Sequence, residues 1–176
     1  MKILMLSGKG GSGKDEVAKM MEEDLNLRGF HTLTIHFADL VKYYAKQYYE
    51  WNGEKDTSGR ALLQKIGTTV MRTAFPTYWA EIVAKFLYAA QDDFDFVLIP
   101  DWRFINEFET VADYNKNVIR IRVERPNFVN EKMTEEQRNH ISECELDNFC
   151  FDWIIQNDRG LEELEAAAKI IIDEIR

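Results

Sequence analysis

Cysteine is scarce in this chain. Two thiols in 176 residues, Cys144 and Cys150, cannot make a disulfide framework and suit a reducing cytoplasm. Together with His140 they place three metal-type side chains close in sequence. That is one short of a tetrahedral set and lacks C-x-x-C spacing, so two partly buried thiols are a better reading than a zinc site. Runs of positive charge are missing as well. Lys and Arg number 22 against 31 Asp and Glu, for a formal net charge of −9, and no five basic residues stand in a row. This argues against a broad electrostatic footprint for nucleic acid or an anionic membrane, and against a polynucleotide 5′-kinase. Any anionic ligand must be held by a few local Lys and Arg residues. No apolar stretch approaches the roughly 18 residues that cross a bilayer. The opening "MKILML" is too short for a signal-peptide core and no small-residue cleavage site follows it, so the expected location is the cytoplasm. Internal repeats, low-complexity tracts and interdomain linkers are also lacking. The length then fits one domain, residues 1–176, with a core of its own.

What is present is an alternation of short apolar runs with helical patterns. "KILMLS" is nearly continuous in apolar residues, as a strand buried on both faces requires. Lys14 to Arg28 reads as a helix, with Val17, Ala18, Met21 and Leu25 at helical spacing and Gly29 as its stop. "HTLTIHF" (31–37) is a second strand. Helical pattern resumes from Asp39 to about Glu50, breaks at "WNGEKDTSG" (51–59), and returns near 59–73 and 77–91 on either side of Pro76. "FDFVLI" (94–99), "NVIRIRV" (117–123) and "DWIIQN" (152–157) are three more strands. Helices are expected over Arg103–Tyr114 and Leu161–Arg176. Residues 125–143 are polar and poorly periodic, a flap. The expected fold class is α/β, with helices packed on a five-stranded parallel sheet.

The first strand runs into "SGKGGSGKDE", Ser7 to Glu16. Its spacing matches G-x-x-x-x-G-K-[ST], except that Asp15 stands in the hydroxyl position. Gly8, Gly13 and Lys14 alone are a weak pattern; a strand before them and a helix after them sharpen it. Glycines let successive backbone N–H groups converge on phosphate oxygens, and the helix N-terminus adds its positive dipole end. Gly8, Lys9, Gly10, Gly11, Ser12, Gly13, Lys14, Asp15 and Glu16 therefore form a candidate nucleotide-binding loop, with Lys14 reaching the terminal phosphates. Asp15 can hold Mg²⁺ directly or through a retained water. It can equally compensate the helix dipole together with Glu16, and the two readings are compatible.

"SGKxxSGKD" resembles the phosphate loop of deoxynucleoside monophosphate kinases from phages and bacteria, in which Asp replaces the hydroxyl residue. "FADLVK" (37–42) resembles that family's acceptor-side F-A-D-x-x-K, and "LLQKIGT…R…W" (Leu62 to Trp79) its helix pair over the monophosphate site. "DWRF" (101–104), "VIRIRVERP", "HISE-x-ELD" (140–147) and "IIQNDRGLEEL" (154–164) follow in the family's order, nearly end to end. Two positions depart from the pattern. Glu16 stands where Thr is common, and Pro100 precedes Asp101 where a small polar residue is more usual. The resemblance implies a three-layer P-loop kinase fold with an acceptor-binding helical insert at about 39–91 and a short lid at about 125–143. It implies transfer of the γ-phosphoryl group of ATP, with Mg²⁺, to a (deoxy)nucleoside monophosphate. A homodimer is compatible with it.

Transfer at a γ-phosphorus rests on positioning and on cations. Lys14 and the loop amides would hold ATP, and Asp101, ending a strand beside the first, would organise Mg²⁺ with Asp15. Arg72 and Arg103 are the acceptor-phosphate clamps, because guanidinium forks match phosphate oxygens. By resemblance Asp39 faces the acceptor, with Lys42 one turn on; its other reading is a helix N-cap. Trp79 is placed to stack on the acceptor base or to sit in the core. Asn157 is expected by resemblance near the adenine pocket. Arg120 and Arg122 share a strand face and need carboxylate, phosphate or solvent partners. Arg122, Arg125 and Arg138 are candidate lid arginines able to close over the transferring phosphate, and the sequence does not choose among them. Two other classes stay open at this point. One is another small-molecule P-loop kinase, similar to dephospho-coenzyme A or phosphomevalonate kinases. The other is a nucleotide-binding module without catalysis.

Overall fold

The computed structural model describes every residue from Met1 to Arg176. Five strands form its centre: β1 (Lys2–Ser7), β2 (Thr32–Thr34), β3 (Phe96–Trp102), β4 (Val118–Glu124) and β5 (Trp153–Gln156). They lie in the order β2-β3-β1-β4-β5 with every pair parallel. The pleat sends alternate side chains to opposite faces. Leu4, Leu6, Leu98 and Ile121 join one core, against Met21 and Leu25 of α1 (Lys14–Leu27) and Ile171 and Ile172 of α9 (Leu161–Ile175). Ile3, Met5, Val97 and Ile99 join the other. Packed on them there are Ala80, Val83 and Leu87 of α5 (Tyr78–Ala89) and Val111 of α6 (Ile105–Tyr114). The fold is thus the expected three-layer α/β arrangement with a five-stranded parallel sheet.

Between β2 and β3 lies a helical insert with a smaller core of its own. Val41 and Ala45 from α2 (Asp39–Tyr48) meet Ile66 and Trp79 there. The helix expected at 59–73 is found as α3 (Thr57–Gln64) and α4 (Met71–Ala74), joined by a π-helical turn at Lys65–Val70. The Gly67 carbonyl inside that turn accepts the Trp79 indole N–H at 3.0 Å, and the turn carries four β-branched residues, Ile66, Thr68, Thr69 and Val70, which crowd an α-helix. Such turns widen the backbone ladder and often border sites.

Three other expectations change. The second strand ends at Thr34 rather than Phe37, because Asp101 takes the N–H groups of Phe37 and Ala38 at 3.0 Å each. Pro100 lies inside β3, where the pairing with β1 slips between Met5↔Ile99 and Ser7↔Trp102. A residue without an N–H tolerates such a bulge, which re-aims the neighbouring side chain, here Asp101. The flap at 125–143 holds α7 (Glu135–Arg138) and leads into α8 (Ile141–Cys144). Thr134 and Gln137 form a reciprocal capping box that starts α7.

Candidate active site

The turn after β1 is built around positive backbone angles. Gly13 has φ +97°, and a Cβ there would stand 2.5 Å from Asn157 Nδ2. That amide donates to the Ser12 carbonyl at 2.9 Å. Asn157 thus braces the loop from behind, acting on a donor through Ser12, and lines neither of the two clefts that border the loop. Lys14 opens α1 and is 5% exposed. Burial first, and the nearby Arg103 guanidinium second, push its ammonium down from 10.5 to about 8, against the attraction of Asp15, Glu143 and Asp101. A buried ammonium whose nearby carboxylates only partly offset its burial is primed for an anion.

Lys14 and Asp15 line a cleft of about 220 Å³ together with Asp101, Arg103, Lys42, Arg72 and Trp79. One cavity therefore joins the glycine loop to the helical insert. Arg103 Nη1 donates to the Gly8 carbonyl at 2.8 Å. Arg72 stacks on Phe104, 3.9 Å from the ring centroid, and pairs with Glu107. Glu107, 1% exposed, also accepts the N–H groups of Arg103 and Phe104. Burial pushes its carboxyl up to about 7, against the pull of Arg72 and those amides. Trp79 is 2% exposed, so most of its ring belongs to the core of the insert and little is free to stack on a base. Asp39 sits outside the cleft at the head of α2, half exposed, accepting from His36 N and Lys42 Nζ. Partial burial would raise its carboxyl, but Lys42 and His36 outweigh that and hold it below its usual range. Glu16 is exposed in the first turn of α1.

Arg122 and Arg125 border a second cleft, with Lys9, Gly10, Ser12 and Phe128. Arg122 is 7% exposed; it pairs with Asp147 at 2.8 Å and reaches Ser7 Oγ at 3.2 Å. Arg120, on the same face of β4, pairs with Asp152, so carboxylates compensate both strand arginines. Arg125 stacks on Phe128 at 4.1 Å and lies 3.4 Å from the Gly11 carbonyl. Arg138 is not brought to either cleft. Its guanidinium is engaged within the lid, on the carbonyls of Asn130 and Met133.

Three acidic residues at the site escape a reading of the sequence: Glu107, Glu143 and Asp147. Asp147 bridges Lys9 and Arg122, and Glu143 pairs with Arg103 at 3.1 Å. Glu143 and Asp147 fall inside "HISE-x-ELD", so that stretch carries a signal, though not one that tells ligand from brace. Glu107 follows "DWRF" by three residues and is an ordinary helix residue in sequence.

A family model for deoxynucleotide monophosphate kinase matches residues 34–168. The chain belongs to that family. The match begins beyond the glycine loop, so the loop and the family assignment are independent observations. The kinase is an ATP-dependent phosphotransferase that acts on nucleotides. No curated protein matches it in sequence. Among solved structures it is similar to the Mycobacterium tuberculosis APS kinase CysC in complex with AMPPNP and APS. The TM-score is 0.60 at 15% identity, covering 98% of this chain and 95% of the other. A sugar kinase from Janibacter sp. HTCC2649 gives 0.59 at 13% identity, covering 98% and 95%. Dephospho-CoA kinase from Campylobacter jejuni gives 0.54 at 12%, covering 99% and 97%. Identities this low speak for the fold. No helix is long and apolar enough to cross a membrane.

Proposed function

We propose that the kinase transfers the γ-phosphoryl group of ATP to a deoxynucleoside monophosphate seated between the glycine loop and the helical insert. The observation that carries this reading is that one cleft is lined by Lys14, Asp15, Asp101 and Arg103 together with Arg72 and Lys42. Loop amides from Gly10 to Lys14 hold the donor phosphates. Lys14 is protonated at neutral pH, and a triphosphate supplies the counter-charge that its buried ammonium lacks. Arg103 spans donor and acceptor sides, already anchored on Gly8. Arg72, kept planar and rigid by Phe104 and Glu107, orients the acceptor phosphate. That phosphate is ionised at neutral pH, so attack on the γ-phosphorus needs no strong base; what it needs is alignment and charge. Asp101 holds Phe37 and Ala38 and so sets the entrance of α2. Asp39 and Lys42 shape the rim at that entrance.

The donor set suits Mg²⁺. Asp15 and Asp101 offer hard carboxylate oxygens in the same cleft as Lys14. The two carboxylates would hold the ion through retained waters beside the phosphates, where it neutralises charge. The insert at 39–91 and the lid at 125–143 are the parts that receive and enclose substrate. Arg125 is the lid cation that reaches the loop; Arg122 belongs to β4 rather than to the lid, where Asp147 holds it.

The test is ADP formation from ATP and Mg²⁺ against separate deoxynucleoside and ribonucleoside monophosphates, with non-nucleotide phosphate acceptors as controls. Turnover with one or a few deoxynucleotides is expected. Turnover confined to a non-nucleotide acceptor would refute the acceptor assignment.

A further inference from the structure

Glu143 stands on the phosphate loop itself. Its Oε2 accepts the Gly10 N–H at 2.7 Å and lies 3.1 Å from Arg103 Nη1. Its side chain is 8% exposed, and its charge acts on Lys14. One carboxylate oxygen therefore meets a loop amide, a guanidinium and the field of the loop lysine, the environment that a loop of this kind offers a phosphate oxygen. The lid holds Gly10 from the other side too: Asn130 Nδ2 donates to the Gly10 carbonyl at 3.1 Å. A Cβ on Gly10 would stand 2.7 Å from Met133 Sδ, so the lid is packed directly on this residue. At about 220 Å³ the cleft beneath is smaller than the roughly 300–1,000 Å³ usual for ligand sites, as a lid resting on the loop would make it.

A carboxylate beside an arriving phosphate is a like charge in a poorly solvated place, so the two cannot share Gly10, Arg103 and Lys14. We propose that Glu143 is an internal substitute for a phosphoryl group, seated on the loop until the terminal phosphate of the donor displaces it, and that it thereby sets the affinity of the donor site. This rests on the assignment of the donor phosphates to the glycine loop. Glu143 is a positioning residue in this account. While the site is empty it keeps Arg103 and the loop in place, and it gives up the same partners to the phosphate. α8, four residues long and started by His140 at Ser142, is the element that carries it away.

The test is calorimetric binding of inorganic pyrophosphate and of ADP to wild type, E143Q and E145Q, in metal-free buffer and again with magnesium. E143Q should bind pyrophosphate about ten-fold tighter or better, the factor that one charge-assisted hydrogen bond represents. A residue that merely held the fold together would give the opposite sign. E145Q removes a charge two residues on, but one seated on the Ile105 N–H at 2.8 Å; its affinity should stay within about two-fold of wild type. Unchanged or weaker binding by E143Q overturns the proposal, as does an equal gain in E145Q. A loss confined to magnesium-containing buffer would make Glu143 a metal ligand and overturn it too. Should E143Q not fold, a structure of the wild type with pyrophosphate decides. The Glu143–Gly10 contact should be broken, and a bound pyrophosphate with that contact intact refutes the exchange. No binding of ADP or pyrophosphate by the wild type refutes the donor-site assignment itself. Binding without the E143Q gain refutes this inference alone.

Discussion

Replacing Lys14 by Met should make the ligand-free kinase more stable while abolishing turnover. Lys14 is buried among groups that only partly offset its charge, and its ammonium is pushed down from 10.5 to about 8. That gap is worth about 3 kcal/mol at ~1.4 kcal/mol per pH unit, an upper bound on what the charged side chain costs the folded state. Met fills nearly the same volume without the charge, so a gain of about 1–3 kcal/mol is expected at pH 7. For a chain of this length that corresponds to a rise in Tm of roughly 3–10 °C. The sign comes from proton binding. Below about pH 8 the lysine is protonated whether the chain is folded or not, and the cost is felt in full. Between about 8 and 10.5 the unfolded chain holds more protons than the folded one, so the wild type gains stability as pH rises. The advantage of the Met variant should therefore shrink towards pH 10. Calorimetric melting at pH 7 and pH 10, in buffer free of phosphate, measures it. Adding ADP at about 100 times its Kd should then raise wild-type stability by roughly 2.7 kcal/mol and leave the variant unmoved. A Tm at pH 7 equal to or below wild type, or an advantage that persists unchanged at pH 10, would refute the reasoning.

Arg72→Ala strips Glu107 of its charge partner inside the protein. A loss of about 3–5 kcal/mol in urea unfolding is expected, and Arg72→Lys, which cannot reproduce the stacked fork on Phe104, should retain stability better than activity. Asp15→Ala should raise the Mg²⁺ concentration needed for half-maximal rate; an unchanged metal dependence would leave Asp15 as a dipole partner alone. Gly13→Ala combines φ +97° with a Cβ 2.5 Å from the Asn157 amide. It should cost more than about 1 kcal/mol in unfolding and raise the KM for ATP, and a neutral melting curve would contradict the strain. In each case the folded fraction, followed by circular dichroism, separates lost function from lost fold.

Periodicity located the elements well because burial imposes it. "KILMLS" sends Ile3 and Met5 to one core and Leu4 and Leu6 to the other, and no surface strand would tolerate that. It failed at the end of the second strand, where a carboxylate 63 to 64 residues away takes the N–H groups of Phe37 and Ala38. It also failed at Lys65–Val70, where an indole 12 residues on takes the Gly67 carbonyl. Both are competitions for backbone hydrogen bonds that a local window cannot see.

The linear chain by itself determined the alternation of strand and helix, the glycine loop and the cations able to meet phosphate, because each is a matter of residue type at short spacing. The tertiary structure decided how those cations are used. It engages Arg138 within the lid, seats Arg72 on Glu107, turns Asn157 onto the back of the loop, and lays Glu143 across Gly10. A long polar or charged side chain takes whichever partner the packing brings nearest, and residues 133 to 145 positions apart in the chain supply such partners for Glu143 and Asn157.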